Sequence, residues 1–336
     1  MAEPFDPDAG ARPDSGIFGL DHTRADAHLV LVPVPFDATV SYGCGTADGP
    51  AAILEASHQV DLFDIQTGRA WARGIHMLEE SAAIRAANQK ARDLAAPLIA
   101  QGGATAADAA VVAQVDALCA GVHAEVEAQV ATILGEGKIP GVVGGDHSVS
   151  LGALRAVGAH RGEFGILHVD AHADLREAYE GFRYSHASIM HNVLAEVPAA
   201  QRLVQIGIRD LGERELRRAA EDPRVMLHHD QIWRTKLMSG AVFAGLCEEA
   251  ITALPDHVYV SFDIDGLDPA LCPGTGTPVP GGLSFAEACL LLQMLVESGR
   301  RIVGFDLCEV APRGEDPWDG NVGARILYKL CGFSLL

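Results

Sequence analysis

The chain has no Cys-x-x-Cys pair, no apolar run long enough to cross a bilayer and few basic side chains for its size. Its seven cysteines, Cys44, Cys119, Cys247, Cys272, Cys289, Cys308 and Cys331, are scattered and odd in number. That argues against a disulfide framework and against a thiolate zinc site. A reducing, cytoplasmic setting is expected, with most thiols acting as small buried hydrophobes. No stretch of about 18 consecutive apolar residues occurs, so no membrane-spanning helix is expected. The opening "MAEPFDPDAGARPDSG" is acidic and broken by Pro and Gly. It lacks the basic start and apolar middle of a secretory leader. Residues 1–16 are therefore expected to form a flexible tail, followed by a single domain over 17–336. Lys and Arg total 25 against 45 Asp and Glu, a net charge of −20. Such a surface disfavours nucleic acid and anionic membranes and attracts cations, including divalent metals and small cationic substrates.

No internal repeat and no low-complexity linker follows the tail. Short apolar runs alternate with longer helical patterns. "HLVLVPVPF" (28–36), "KIPGVVGG" (138–145), "FGILHVDAH" (164–172), "RLVQIGI" (202–208), "VMLHH" (225–229), "HVYVSFDID" (257–265) and "IVGFDLCEV" (302–310) read as strands. Most are continuous and rich in β-branched residues, as strands buried on both faces are. Between them, the Ala-rich residues 105–134 and "SVSLGALRAVGAH" (148–160) read as helix. "SFAEACLLLQMLVESG" (284–299) opens with Ser284 and Glu287 in a capping-box relation and closes at Gly299. Alternation of this kind predicts an α/β fold of three layers, α/β/α, around a mostly parallel sheet.

Ligands of such sheets bind beyond the carboxyl ends of the strands, and that is where the ionisable residues lie. His147 follows "GVVGGD". Asp170, His172 and Asp174 follow "GILHV". Asp263 and Asp265 follow "VYVSF". Glu309 follows "GFDLC". Taken singly, an Asp-x-His is a structural pair and an Asp-x-Asp a turn or cap. Four strand ends carrying acids or His point to one shared site. Carboxylates gathered away from water repel, and one or more would take a proton unless a cation joins them. Mixed oxygen and imidazole donors suit manganese, or cobalt, nickel or iron, and suit structural zinc poorly. The set offers more donors than one ion uses, and two ions bridged by carboxylates use it better.

Three of these stretches, "GGDHS" (144–148), "DAHAD" (170–174) and "SFDIDGLDP" (261–269), resemble in content and order the signatures of the ureohydrolases: arginase, agmatinase and related guanidino hydrolases. "VPFDATVSYGCGTADGPAAI" (34–53) and "GTGTPVPGGLS" (274–284) resemble loops of agmatinase-like members, and the likeness runs over about residues 28–335. The resemblance implies an arginase-like fold and two Mn2+ per chain, with Ni2+ or Co2+ as possible substitutes. It implies one ion on His147, Asp170, Asp174 and Asp263, and a second on His172, Asp170, Asp263 and Asp265. Asp170 and Asp263 would bridge, while Asp146 and Asp268 would orient loops. It gives Asp174, His186 and Glu309 catalytic roles. Asp174 orients the attacking water, His186 carries a proton near the pocket mouth, and Glu309 pairs with the guanidinium. It also implies a homo-oligomer, a trimer or hexamer.

Among guanidino compounds, arginine is disfavoured. Arg176 stands where arginases carry Asn after the metal motif, and Gly212 stands where they carry an acid after "IRD". "DLREAYEGFRYSHASIM" (174–190) resembles agmatinases, so agmatine, giving putrescine and urea, is the expected substrate. Gly43 in "SYGCGT" replaces the arginine usual there. That keeps guanidinobutyrate, guanidinopropionate, guanidine and arginine as alternatives, with Arg176 or Arg183 able to meet a carboxylate. Two other classes compete: a single-zinc deacetylase of the same fold, and a non-catalytic subunit of a hetero-oligomer. Retention of His147, Asp174 and Asp265 weighs against both.

Overall fold

All seven apolar runs form strands in the computed structural model, which describes residues 5–12 and 14–336. In chain order these are β1 (Leu29–Val34), β3 (Ile139–Gly144), β4 (Phe164–Val169), β5 (Ala200–Ile208), β6 (Val225–His229), β7 (His257–Asp263) and β8 (Arg301–Cys308). An eighth strand, β2 (Ile75–Met77), was not foreseen, because three residues are too short to display a period. The strands form one eight-stranded sheet in the order β2-β1-β3-β8-β7-β4-β5-β6. Every pairing in it is parallel.

The continuous hydrophobicity of the strands has a simple cause. Successive side chains point to opposite faces, and helices cover both. Leu29, Leu31, Leu167, Val169, Val258, Val260 and Phe262 pack with the helices at 49–57, 230–238, 243–252, 285–297 and 318–334. Val30, Val32, Val34, Phe164, Ile166 and Tyr259 pack with the helices at 82–100, 109–135, 150–161, 189–196 and 213–221. Each fully buried Val or Leu contributes roughly 1.5–3 kcal/mol, so a polar residue in the central strands would be costly on either face.

Helix 285–297 starts as its sequence predicts. Ser284 Oγ accepts the Glu287 N–H at 3.2 Å, and Glu287 Oε2 accepts the Ser284 N–H at 2.8 Å. Residues 106–135 have the length and mean hydropathy (1.3 over the most apolar window) of a bilayer-crossing helix. That segment nonetheless carries Asp116, Glu125 and Glu127. It lays Val115, Cys119, Val122, Val126 and Val130 into the core. Of the expected tail, residues 1–4 and 13 lie outside the described residues. The Phe5 ring stands 5.2 Å from that of Trp71, and Arg12 pairs with Asp21 at 2.7 Å.

Candidate metal centre and active site

β3, β8, β7 and β4 are consecutive in the sheet, so the four strand ends that carry acids or His lie side by side. Beyond β3, a Cβ on Gly145 would collide with the Phe36 carbonyl. Glycine there lets the β1 loop close over the turn. Asp146 then accepts the Ser148 N–H at 3.0 Å and caps the short turn that buries His147. Beyond β4 come Asp170, His172 and Asp174, the last in the left-handed region at φ 54°. β7 ends on Asp263, whose Oδ1 accepts the Asp265 N–H at 2.8 Å and turns the chain. β8 is followed by Glu309, also left-handed at φ 67°.

The structure brings His147, Asp170, His172, Asp174, Asp263 and Asp265 into one cluster. His147 Nδ1 lies 3.0 Å from Asp170 Oδ2, 3.3 Å from Asp263 Oδ2 and 3.5 Å from Asp174 Oδ2. His172 Nδ1 lies 3.4 Å from Asp170 Oδ1 and 3.2 Å from Asp265 Oδ2. Asp170 thus turns one oxygen to each imidazole, the posture of a carboxylate that bridges two centres. Asp146 and Asp268 stand apart as loop residues, Asp268 accepting the Ala270 N–H at 2.8 Å.

The donor set suits divalent cations. Burial, then Asp170, pushes the Asp174 carboxyl well above the usual range. Burial, then Asp265 and Asp170, does the same to Asp263. Burial works against ionisation of Asp170 too, but His168, His147 and His172 hold its pKa well below the usual value. His172 is pushed up to about 12, because Asp265 and Asp170 outweigh its burial. The protein groups alone therefore balance their charges only by holding protons. Divalent cations in the same space would let every carboxylate ionise and both imidazoles be neutral donors.

A buried layer beneath the cluster was missed at the sequence level. His147 Nε2 donates to Ser261 Oγ at 2.8 Å, and Ser261 Oγ donates to Asp306 at 3.0 Å. With Nε2 engaged in this way, a bound cation would displace the Nδ1 proton and take the lone pair that faces the carboxylates, as a ligating histidine requires. His168 Nε2 donates to Asp170 Oδ2 at 2.8 Å, while its Nδ1 accepts from Gln205 at 2.9 Å. His168 Nε2 also lies close enough to His147, Asp170 and Asp174 to join a metal group. With both ring nitrogens engaged it buttresses Asp170 instead. The available signal was the period of two. His168 and Ser261 stand two residues before Asp170 and Asp263, as polar interruptions of apolar strands.

A cavity of about 250 Å³ opens onto the cluster, lined in part by His172, Asp174, Arg176, Tyr179, His186 and Asp210. His186 is pushed down to about 3 by burial and then by His172, so its imidazole is neutral. Glu309 is buried and is not among the residues that line this cavity. Its Oε1 accepts the His147 N–H at 3.0 Å, and its Oε2 is buried without a hydrogen-bond partner among the described residues. A Cβ on Gly276 would stand 2.8 Å from Oε2, so only glycine keeps that oxygen clear. Burial, then Asp263 and Asp146, raises the Glu309 carboxyl well above its usual range, and a bound cation would reverse this.

Residues 27–332 match the family model described as the arginase family. The N(1)-aminopropylagmatine ureohydrolase of Thermus thermophilus is 33% identical, over 94% of this chain and 94% of its own. The guanidinobutyrase of Pseudomonas aeruginosa is 30% identical, over 93% of this chain and 89% of its own. The crystal structure of the agmatine ureohydrolase of Thermoplasma volcanium superposes with a TM-score of 0.70 at 26% identity. That superposition covers 93% of this chain and 92% of the other.

Proposed function

We propose, for a chain that belongs to the arginase family, that it hydrolyses agmatine to putrescine and urea. The coarser activity, metal-dependent hydrolysis of a guanidino compound, rests on one observation above all. Asp170 is shared between two imidazole-carboxylate groups at adjoining strand ends. In this reading His147, Asp170, Asp174 and Asp263 hold one ion, and His172, Asp170, Asp263 and Asp265 the other. Manganese is the proposed metal, with nickel or cobalt as substitutes, and the proposed assembly is a homo-oligomer of three or six chains.

When bound, the ions supply Lewis acidity that makes a water nucleophilic near neutral pH. The chain's own residues do the rest. Glu309 accepts guanidinium N–H groups on its free Oε2 and fixes the planar cation against the cluster. Asp174 accepts a hydrogen bond from the attacking water and aims it at the guanidinium carbon. After addition the amine must leave protonated, and Asp174 delivers that proton, directly or through the neutral His186.

Charge bears on the far end of the substrate. Asp210 is exposed at the cavity, and no ion pair engages it among the described residues. A free carboxylate there favours a substrate ending in an amine. The test is urea release by manganese-loaded protein from agmatine, N(1)-aminopropylagmatine, arginine, guanidinobutyrate, guanidinopropionate and guanidine. Agmatine is expected to give the highest kcat/KM, and another compound leading would replace it. Asp170→Ala is expected to abolish urea release and to lower metal content from two ions per chain. Near-normal turnover by that variant would overturn the shared-carboxylate site.

A further inference from the structure

The cavity wall carries a cation as well as an anion. Arg176 lines it, with 42% of its side chain exposed, and its guanidinium lies 4.9 Å from the centre of the Tyr179 ring. Left to itself, such a group would welcome a substrate carboxylate. It is not left to itself. Glu215, which also lines the cavity, sits 3.3 Å from Arg176 Nε with only 5% of its side chain exposed. Glu215 is locked in place from both sides. Its Oε1 accepts the Leu175 N–H at 3.1 Å and its Oε2 accepts the Gly212 N–H at 2.8 Å. The first ties it to the segment that follows the Asp170–Asp174 motif, the second to the start of helix 213–221.

We infer that Glu215 is a specificity-determining residue. By neutralising Arg176 it leaves Asp210 as the uncompensated charge of the pocket mouth, so the site accepts guanidino amines and turns away guanidino acids. This rests on the proposed guanidine hydrolysis and adds the device that selects the charge at the substrate's far end. Selectivity of this kind needs a repulsive element as well as an attractive one. Here the attraction is Asp210 toward an ammonium. The repulsion is the same Asp210 toward a carboxylate, no longer offset once Glu215 has engaged Arg176, the only arginine on that wall among the described residues. The pair is held by two backbone hydrogen bonds on the acid and by an aromatic face under the base, so it is preorganised and not assembled by substrate.

The experiment compares kcat/KM for agmatine and for 4-guanidinobutyrate in the manganese-loaded wild type, Glu215→Gln, Arg176→Gln and the double variant. Glu215→Gln keeps the shape of the side chain but frees the arginine. Its agmatine-to-guanidinobutyrate ratio is expected to fall by about tenfold or more, the scale of one charge pairing. Adding Arg176→Gln should cancel that gain in guanidinobutyrate turnover. Arg176→Gln alone should raise the ratio, because Glu215 then adds its own charge to that of Asp210. This arm stands even if Glu215→Gln fails to fold. A purely structural Glu215 would lower both substrates in proportion, and an unmoved ratio in either single variant overturns the inference. Wild type that releases urea from neither compound, nor from any other guanidine, overturns the hydrolase reading itself and this inference with it. Urea release with an unmoved ratio overturns only the role of Glu215.

Discussion

Asp174 and Glu309 both hold left-handed backbone conformations, which cost a residue with a Cβ about 1–2 kcal/mol each. The surroundings pin them there. The Asp174 carbonyl accepts the His191 N–H at 3.0 Å, and the Glu309 N–H donates to the Gly145 carbonyl at 2.9 Å. The twist turns each acid off its strand direction and toward the cluster. The role proposed for Glu309 depends on the charge of its free Oε2. Glu309→Gln keeps an oxygen to accept the His147 N–H but loses that charge. Its kcat/KM for agmatine is expected to drop about 100-fold, matching roughly 2–3 kcal/mol for a hydrogen bond to a charged group, with metal content unchanged. A loss of less than threefold would remove Glu309 from the guanidinium site.

At the scale of elements, helix 109–135 has a cost that shows in acid. His123 on that helix is buried, neither ring nitrogen has a hydrogen-bond partner among the described residues, and its ring meets Tyr184 edge-on at 5.0 Å. Burial, then Arg155, pushes its pKa from 6.5 down to about 3. Above 6.5 neither folded nor unfolded chain protonates this group, so its contribution to stability is constant there. Between 6.5 and 3 the unfolded chain binds a proton that the folded chain refuses. Stability then falls with pH by up to about 1.4 kcal/mol per unit. His123→Phe fills the same space against Tyr184 and removes that component. Urea denaturation at pH 7, 5.5 and 4 is expected to show a shallower acid loss in the variant. Equal slopes would assign the acid sensitivity to other groups.

Over the whole molecule, a net charge of −20 surrounds a cavity that carries the unpaired Asp210. Such a field would draw in a doubly charged guanidino amine such as the proposed agmatine and would have little hold on a zwitterion. Raising ionic strength from about 10 mM to about 100 mM shortens the screening length from roughly 30 Å to roughly 10 Å. The kcat/KM for agmatine should fall several-fold over that range, while that for 4-guanidinobutyrate should change little. Equal salt dependence would mean that the surface charge serves only to keep chains apart. The parallel sheet matters at this scale too. It sets four strand ends that carry acids or histidine in a row, so the cluster comes from strand order and not from one continuous motif.

The seven longer strands, the helix cap of Ser284 with Glu287, and the residues gathered at the strand ends were legible from local order alone. Strand burial writes itself as continuous apolar runs, and chemistry interrupts them at their carboxyl ends. β2 was illegible because three residues carry no period. The layer of His168, Ser261 and Asp306 left only the period of two as its signal, and its members read as isolated polar residues until β4, β7 and β8 bring them under His147 and Asp170. Only the tertiary structure decided that Asp170 faces His147 and His172 at once with His168 behind it, that Glu309 keeps one buried oxygen free, and that Glu215 reaches Arg176. Those are relations across strands and loops, fixed by three-dimensional packing, and a linear order cannot express them.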